Sequence, residues 1–391
     1  MSKYYIIYSH QISLQPNTAH EIHDVQCADA AANLRYSTVL VYPNQQQKNF
    51  NLFDFLFPFR PQLPDPKIVE FYDIQSNLKT APLPLPGQFF PLQNKFTHPS
   101  TIICKYYFPL HIFPKTKVLH TRDWNCAKAA VQNKIPTIYE SHYFQSKPLE
   151  TKIVNSPYFR IAVTQSELTR QSLIKAGVPE QKAIWLHNGF GQSFLTRQPA
   201  EAQAWRQQLL SENYQYLVVY SGALYRFKGI DLLIEVARLL PHIQFAITGG
   251  TDTQIQDYRQ LAQAKQVHNI NFLGWILPRS RLISLLQAAD LLAHPHLSGK
   301  EADFTNPVKF FQYIASGTPM VVTEIPPLLP FKSSPLVATW CPPDNPGAFA
   351  QAIEQSLQNY PYQSEGYQTN IEFARQFTWE NRTTKIMSYV D

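Results

Sequence analysis

The sequence is poor in glycine, cysteine and charge. It has 13 glycines, four cysteines and only 16% charged residues in 391 positions. Cys27, Cys104, Cys126 and Cys341 lie far apart and form no CxxC pair. That excludes a disulfide-framed secreted scaffold and reads as four reduced thiols. Low charge beside 44% hydrophobic residues excludes wholesale disorder. No basic run, zinc-finger spacing or aromatic RNA-binding signature is present, so no nucleic-acid partner is expected. No stretch reaches the ~18 apolar residues of a membrane-spanning helix. The opening MSKYYIIYSH lacks a signal-peptide core and cleavage site, so a cytoplasmic protein is expected, compatible with a peripheral place at the inner membrane face. Four motifs are missing as well: GxGxxG after a strand, GxxxxGK[ST], GxSxG and HExxH. Their absence argues against a nicotinamide dehydrogenase, a P-loop kinase, an α/β-hydrolase and a zinc peptidase.

What is present suits two α/β domains, the number this length favours. Tyr4–Tyr8 reads as a strand, Ala19–Leu34 as a helix and Thr38–Tyr42 as a second strand, the opening of a parallel unit. Prolines number 31 and cluster between Pro58 and Pro114, within a stretch from Asn44 to Lys115 that periodicity does not resolve. Its Phe50–Phe59 cluster either packs on the core or forms a membrane-facing or acceptor-facing surface. Order returns with a strand at Val118–His120, a helix at Trp124–Gln132, strands at Pro136–Glu140 and Phe159–Val163, and a helix at Ser166–Ala176 closed by Gly177. A further strand, Ala183–Leu186, follows.

The polar segment Gln198–Asn213 reads as a bridge. Beyond it strands Tyr216–Tyr220, Gln244–Thr248, Asn271–Leu273, Leu291–His294 and Met320–Thr323 alternate with helices. Asn345–Gln358 and Ile371–Met387 read as terminal helices. The expected boundaries are 1–197, 198–370 and a returning helix at 371–391. Parallel sheets bind ligands at the C-terminal edges of their strands, which points to a cleft between the domains. A net charge of +6 suits an anionic ligand such as a diphosphate, or an anionic membrane surface.

Four constellations carry the chemistry. Gly222 follows the strand YLVVY, and Arg226 and Lys228 sit two apart in its loop, where two cations can clamp a diphosphate or merely face solvent. Asn306 and Pro307 form a helix start that favours anions or sugar hydroxyls, with Lys309 and Gln312 nearly on one face and Phe310, Phe311 and Ile314 towards the core. An ordinary capped helix reads the same way. His142 stands at a strand edge after PTIYE, where it either serves a structural role or is merely exposed, or else faces a ligand. The polar loop Gln15–His20 would line the same cleft.

Taken in order, these segments resemble a retaining glycosyltransferase of the GT-B fold, family 4 (glycosyl transferases group 1). YSGALYRFKGIDLLIEVARLL, ITGG, INFLGWI, LLQAADLLAHP and NPVKFFQYIASGTPMVVT are similar to the family's donor-domain segments. VLHTRDWNCAKAAVQNKIPTIYESH and AVTQSELTRQSLIKAGVPEQKAIWLHNGF agree more loosely with its first domain, and FARQFTWENRTTKI with its tail. The resemblance implies two Rossmann-like domains facing each other across a cleft. It implies transfer of a hexosyl group, with retained configuration, from a nucleoside diphosphate sugar to a glycan, lipid or small-molecule acceptor, as in polysaccharide biosynthesis.

By the same resemblance Arg226 and Lys228 hold the diphosphate and His142 approaches the donor sugar. Gly222, Gly249, Trp275, Asp303, Asn306, Lys309 and Gln312 form the donor site, and Asn17, His20 and Arg122 face the acceptor. No metal or other cofactor is expected. The sequence departs from the family at three places: Gln312 and Phe304 stand where the Glu-x7-Glu carboxylates belong, and Ala223 where many relatives have arginine. Phe304 and Gln312 keep open the alternative of a degenerate sugar-nucleotide-binding or scaffold protein, and a nucleotide-sugar epimerase or phosphorolytic enzyme of similar architecture is a further alternative.

Overall fold

The computed structural model describes residues 3–14, 19–44, 52–85, 99–303 and 308–390. The chain forms two compact units, Met1–His187 with Trp379–Asp391, and Asn188–Thr378.

The first unit is built on seven parallel strands: β1 (Tyr4–Tyr8), β2 (Thr38–Asn44), β3 (Lys79–Pro84), β4 (Thr116–Thr121), β5 (Thr137–Ser141), β6 (Phe159–Thr164) and β7 (Ala183–Trp185). They run in the order β3-β2-β1-β4-β5-β6-β7. Both faces are covered, as the apolar strand sequences require. Tyr5 and Ile7 join one core with Val25, Ala28, Trp379 and Ile386, while Ile6 and Tyr8 join the other with Ile103, Phe108 and Cys126. The helix Ala19–Asn33 thus shares a face with Trp379–Met387.

Parts of the stretch that periodicity left open are ordered. Asp65 caps the helix Pro66–Tyr72 through the Lys67 N–H. β3 is an edge strand reading KTAPLP, and prolines are tolerated there because the outer edge needs no donor. A π-helical segment spans Ile103–Ile112 and contains Pro109. The Phe50–Phe59 cluster divides: Phe59 is buried, whereas Phe53 and Phe57 are 61% and 55% exposed. No helix among the described residues is long and apolar enough to cross a membrane.

The second unit holds six parallel strands: β8 (Tyr216–Ser221), β9 (Ile243–Thr248), β10 (Ile270–Gly274), β11 (Leu291–His294), β12 (Met320–Thr323) and β13 (Ala338–Cys341). Their order is β10-β9-β8-β11-β12-β13. Leu217 and Val219 face one core, Val218 and Tyr220 the other. In both sheets the order reverses beside the first strand, at β1/β4 and β8/β11. Such switch points open a crevice at the strands' C-terminal ends.

The units divide at 187/188 and 378/379, against the 197/198 and 370/371 expected. Phe190 and Phe194 are fully buried in the second unit's core, which fixes the earlier crossing. Reading Ile371–Met387 as one helix is corrected. Helices Gln368–Ala374 and Trp379–Met387 are separated by the 3-10 turn Arg375–Phe377 and an extended Thr378. Phe377 packs on Phe311 and Phe331, while Trp379 belongs to the first unit's core. A continuous helix would not serve both.

Candidate functional site

In the second unit, β8 ends at Ser221, whose N–H donates to the Tyr313 hydroxyl at 2.7 Å. That bond ties the helix Val308–Ser316 to the strand end and sets Lys309, one turn earlier, beside Gly222. Gly222 has φ +143°, and a Cβ there would lie 2.8 Å from both Cε and Nζ of Lys309. Only glycine leaves room for that ammonium. Lys309 is buried, with Nζ 3.7 Å from the centre of the Tyr220 ring. Its Nζ finds no hydrogen-bond partner among the described residues. Burial, reinforced by Lys228, holds its pKa well below the lysine range.

The loop after Gly222 is stitched to the end of β11. The Leu297 N–H donates to the Phe227 carbonyl, and Gly229 (φ +76°) lies so close to Pro295 that a Cβ would stand 1.8 Å from its carbonyl oxygen. Thr323 donates to the carbonyls of His294 and His296. The result sets Lys228 Nζ 2.8 Å from His296 Nε2. The rings of His294 and His296 stack at 4.0 Å, as residues two apart on an extended segment do. Both rings are buried, and His294 Nδ1 and Nε2 and His296 Nδ1 have no partner among the described residues. Burial pushes both imidazoles well below their ordinary value, so both are neutral near pH 7. Burial also lowers Lys228, to about 8. The site therefore concentrates basic groups at the β8/β11 switch point.

Of the residues expected here, Gly222, Lys228 and Lys309 come together. Arg226 lies on the same loop but is exposed. Gly249 backs Gly222, its α-carbon facing the Gly222 carbonyl. Trp275, just beyond β10, is half-exposed. Gln312 is half-buried on the helix, while Phe310, Phe311 and Ile314 are in the core. Asp303 ends the short helix Lys300–Asp303. Asn306, with Phe304, lies outside the described residues. Asp290, conspicuous in LLQAADLLAHP, is structural: its carboxylate accepts from Arg206 and from the Leu217 N–H. The basic role of the His-Pro-His at the end of β11 was missed, although the three residues stand plainly in the sequence.

In the first unit the strand edge carries a buried carboxylate, Glu140. Its Oε1 lies 2.7 Å from His142 Nε2, 2.9 Å from His23 Nε2 and 2.6 Å from an Arg382 nitrogen. Its Oε2 lies 3.0 Å from His120 Nε2. Burial alone would raise this carboxyl; Arg382, His23 and the histidine hydrogen bonds hold it well below its ordinary value. An ionised carboxylate only accepts, so each facing nitrogen donates. His120 therefore carries its proton on Nε2, and its Nδ1 accepts from the Tyr5 hydroxyl at 2.8 Å.

His23 meets carboxylates on both sides, Glu140 through Nε2 and Asp24 through Nδ1. Burial opposes its charge, yet Cys27, Glu140 and the Asp24 bond lift it well above the histidine range. His142 is the reverse case. Burial and the Arg122 charge push it down to about 3, leaving a neutral ring with Nε2–H on Glu140. Arg122 lies 4.0 Å from Asp24, and its Nη1 is buried without a hydrogen bond among the described residues. His20 lies in the helix Ala19–Asn33, and Asn17 lies outside the described residues. Nothing in the local sequence marked Arg382 as Glu140's partner.

Among the described residues, two groups of ligating atoms lie close enough to hold a metal: His23, Glu140 and His142, and Cys104, Asp123 and Cys126. In the first, the Arg382 guanidinium already occupies the place a cation would take. In the second, Asp123 caps the helix Trp124–Gln132 through the Asn125 and Cys126 N–H groups.

Comparison with known proteins bears on this geometry. Residues 215–359 match the family model Glycosyl transferases group 1. The chain is 28% identical over 216 residues to alpha-galactosylglucosyldiacylglycerol synthase of Streptococcus pneumoniae, covering 52% of this chain and 55% of that protein. It is 25% identical over 182 residues to D-inositol 3-phosphate glycosyltransferase of Corynebacterium diphtheriae, covering 44% of this chain and 41% of that one. The matches thus span about half the length of these relatives. Among solved structures, Anabaena HepE in complex with UDP and glucose superimposes with a TM-score of 0.66 at 16% identity, covering 98% of each chain. Sucrose-phosphate synthase from Thermosynechococcus elongatus gives 0.68 at 15%, covering 99% of this chain and 98% of that one. The fold is GT-B, and the match to the group 1 glycosyltransferase model lies within the second unit.

Proposed function

We propose that this chain is a glycosyltransferase that moves a hexosyl group from a nucleoside diphosphate sugar to a glycan, lipid-linked or small-molecule acceptor with retention of configuration. The observation that carries the reading is Lys309 at the β8/β11 switch point, whose buried Nζ has no hydrogen-bond partner among the described residues and whose pKa burial and Lys228 hold well below the lysine range. A buried cation is costly unless a counter-charge arrives, and a diphosphate supplies one. As the glycosidic bond breaks, negative charge grows on that diphosphate. Lys228 and Lys309, protonated as that charge arrives, stabilise it there without a metal. Exposed Arg226 is proposed to join Lys228 on the diphosphate, and half-buried Gln312 to exchange hydrogen bonds with ribose hydroxyls. On the first unit, neutral His142 and Arg122 are the groups proposed towards substrate.

HepE supports the donor class, since its solved complexes contain UDP, UDP with glucose and UDP-glucose. One feature favours the second reading, a sugar-nucleotide-binding protein without transfer: the neutral Gln312 where a carboxylate is expected. A thermal-shift panel of UDP-, GDP-, ADP- and dTDP-sugars tests the proposal on wild type, Lys228→Ala and Lys309→Met. A donor that binds only the folded state raises its melting temperature. The expected result is a shift with one nucleotide class, lost in both variants, together with sugar transfer in an acceptor panel. Binding without transfer selects the second reading, and no shift at millimolar donor refutes both.

A further inference from the structure

We propose that His296 is a positioning residue for Lys228: its Nε2 accepts the ammonium's hydrogen bond, fixing where that cation points and keeping it protonated in the empty site. The significance of this role for catalysis rests on the function proposed above; the interaction itself does not.

The groups that face Lys228 among the described residues come from three elements. From the β11 side come His296, at 2.8 Å, and His294 stacked behind it. From the helix Val308–Ser316 comes Lys309, whose pKa burial and Lys228 hold well below the lysine range. From its own loop come the Phe227 ring, 4.5 Å from Nζ to centroid, and the exposed Arg226. Among the described residues no carboxylate pairs with Lys228, and the His296 nitrogen is the hydrogen-bond acceptor that its ammonium meets. An ammonium has donors only, so the ring must present a lone pair at Nε2 and carry its proton on Nδ1. The fully buried His294 ring stacks on it at 4.0 Å and 8° between planes, which holds the imidazole in that plane. The Thr323 hydroxyl fixes the His296 backbone through its carbonyl.

The chemistry follows. In the empty site one nitrogen lone pair favours the charged form of Lys228 against burial. Without that lone pair the neutral amine gains ground. A diphosphate arriving between the lysines would supply a stronger acceptor and complete their protonation, so binding would take up protons above about pH 8, the value to which burial brings free Lys228.

The test reads Lys228 directly in the full chain without nucleotide. Trace acetylation with acetic anhydride across pH 6–11, quantified at Lys228 by mass spectrometry, gives the midpoint of its protonation. Wild type is expected near 8. His296→Leu should lower the midpoint by about one unit, roughly the tenfold effect of a lost charge-assisted hydrogen bond. His296→Gln, whose amide oxygen replaces the lone pair, should restore most of it. Far-UV circular dichroism verifies that both variants keep the fold. An unchanged midpoint in His296→Leu, or one in His296→Gln as low as in His296→Leu, overturns the proposal. Saturating UDP, GDP or ADP forms a separate arm on wild type. A rise with one of them supports the diphosphate site, whereas no rise with any counts against the proposed function and leaves the role of His296 to the nucleotide-free result.

Discussion

Replacing Glu140 by glutamine takes one charge out of a cluster whose members all depend on it. In the native unit the Glu140 and Asp24 carboxylates balance the Arg382 guanidinium and the His23 imidazolium, and all four are buried. Glutamine keeps the shape but offers one acceptor oxygen to four donor groups, and its own N–H2 faces donors. Breaking a buried pair from one side costs about 3–5 kcal/mol. At ~2–4 °C per kcal/mol for a unit of this size, the first unit's melting transition should fall by roughly 6–20 °C. Urea denaturation followed by tryptophan fluorescence gives the free energy, and Trp379, stacked edge-on against His23, reports locally.

The pH dependence adds a second reading. Glu140 has a folded pKa below its unfolded value, so its contribution is complete above about pH 4.3 and is lost as pH falls through the folded value. His23 has a raised folded pKa, so its contribution is complete below about pH 6.5 and is lost as pH rises through that raised value. Glu140→Gln should flatten the acid limb and shift the His23 limb downward. The double variant Glu140→Gln/Arg382→Met should recover part of the loss, since it removes both charges. A loss under ~1 kcal/mol in the single variant, or an acid limb identical to wild type, would refute the reasoning.

Two further outcomes follow from backbone geometry. Gly229→Ala forces a methyl into the Pro295 carbonyl at a left-handed φ, so unfolding of the second unit in urea should need less denaturant by more than ~2 kcal/mol, with the His296–Lys228 contact disturbed as well. Asp123→Ala removes the cap of the helix Trp124–Gln132 and should cost the first unit ~0.5–2 kcal/mol, measured the same way, while Asp123→Asn should retain most of the stability.

Much of the architecture was legible because parallel strands buried on both faces leave short apolar runs that need no partner to be recognised. YYIIY, YLVVY and MVVT are observed where they were read, and the helix Trp124–Gln132 has the bounds its sequence suggests. β3 escaped because its two prolines argue against a strand unless its edge position is known. β13, reading ATWC, is only partly buried and too short to show a period. The lysines of the second unit stood out as charges in apolar segments. Which of them is buried was not legible, because Lys309 owes its burial to the absence of a side chain at Gly222, far away in sequence. Arg382 and Glu140 are 242 positions apart, and only the folded unit brings them into contact.

That pairing also bears on the order in which the polypeptide can mature. The segment from Trp379 to Val390 completes a core begun by the first residues. It brings Trp379, Ile386 and Met387, the guanidinium that Glu140 requires, and the Val390 carbonyl to which Arg160 donates. Residues 188–378 are contiguous and wait for nothing further downstream. During synthesis the leading segment would therefore emerge early yet finish late, its Glu140 lacking the Arg382 guanidinium until the segment from Trp379 has emerged. A chain stopped shortly before Trp379 would have a complete trailing unit and an unfinished leading one.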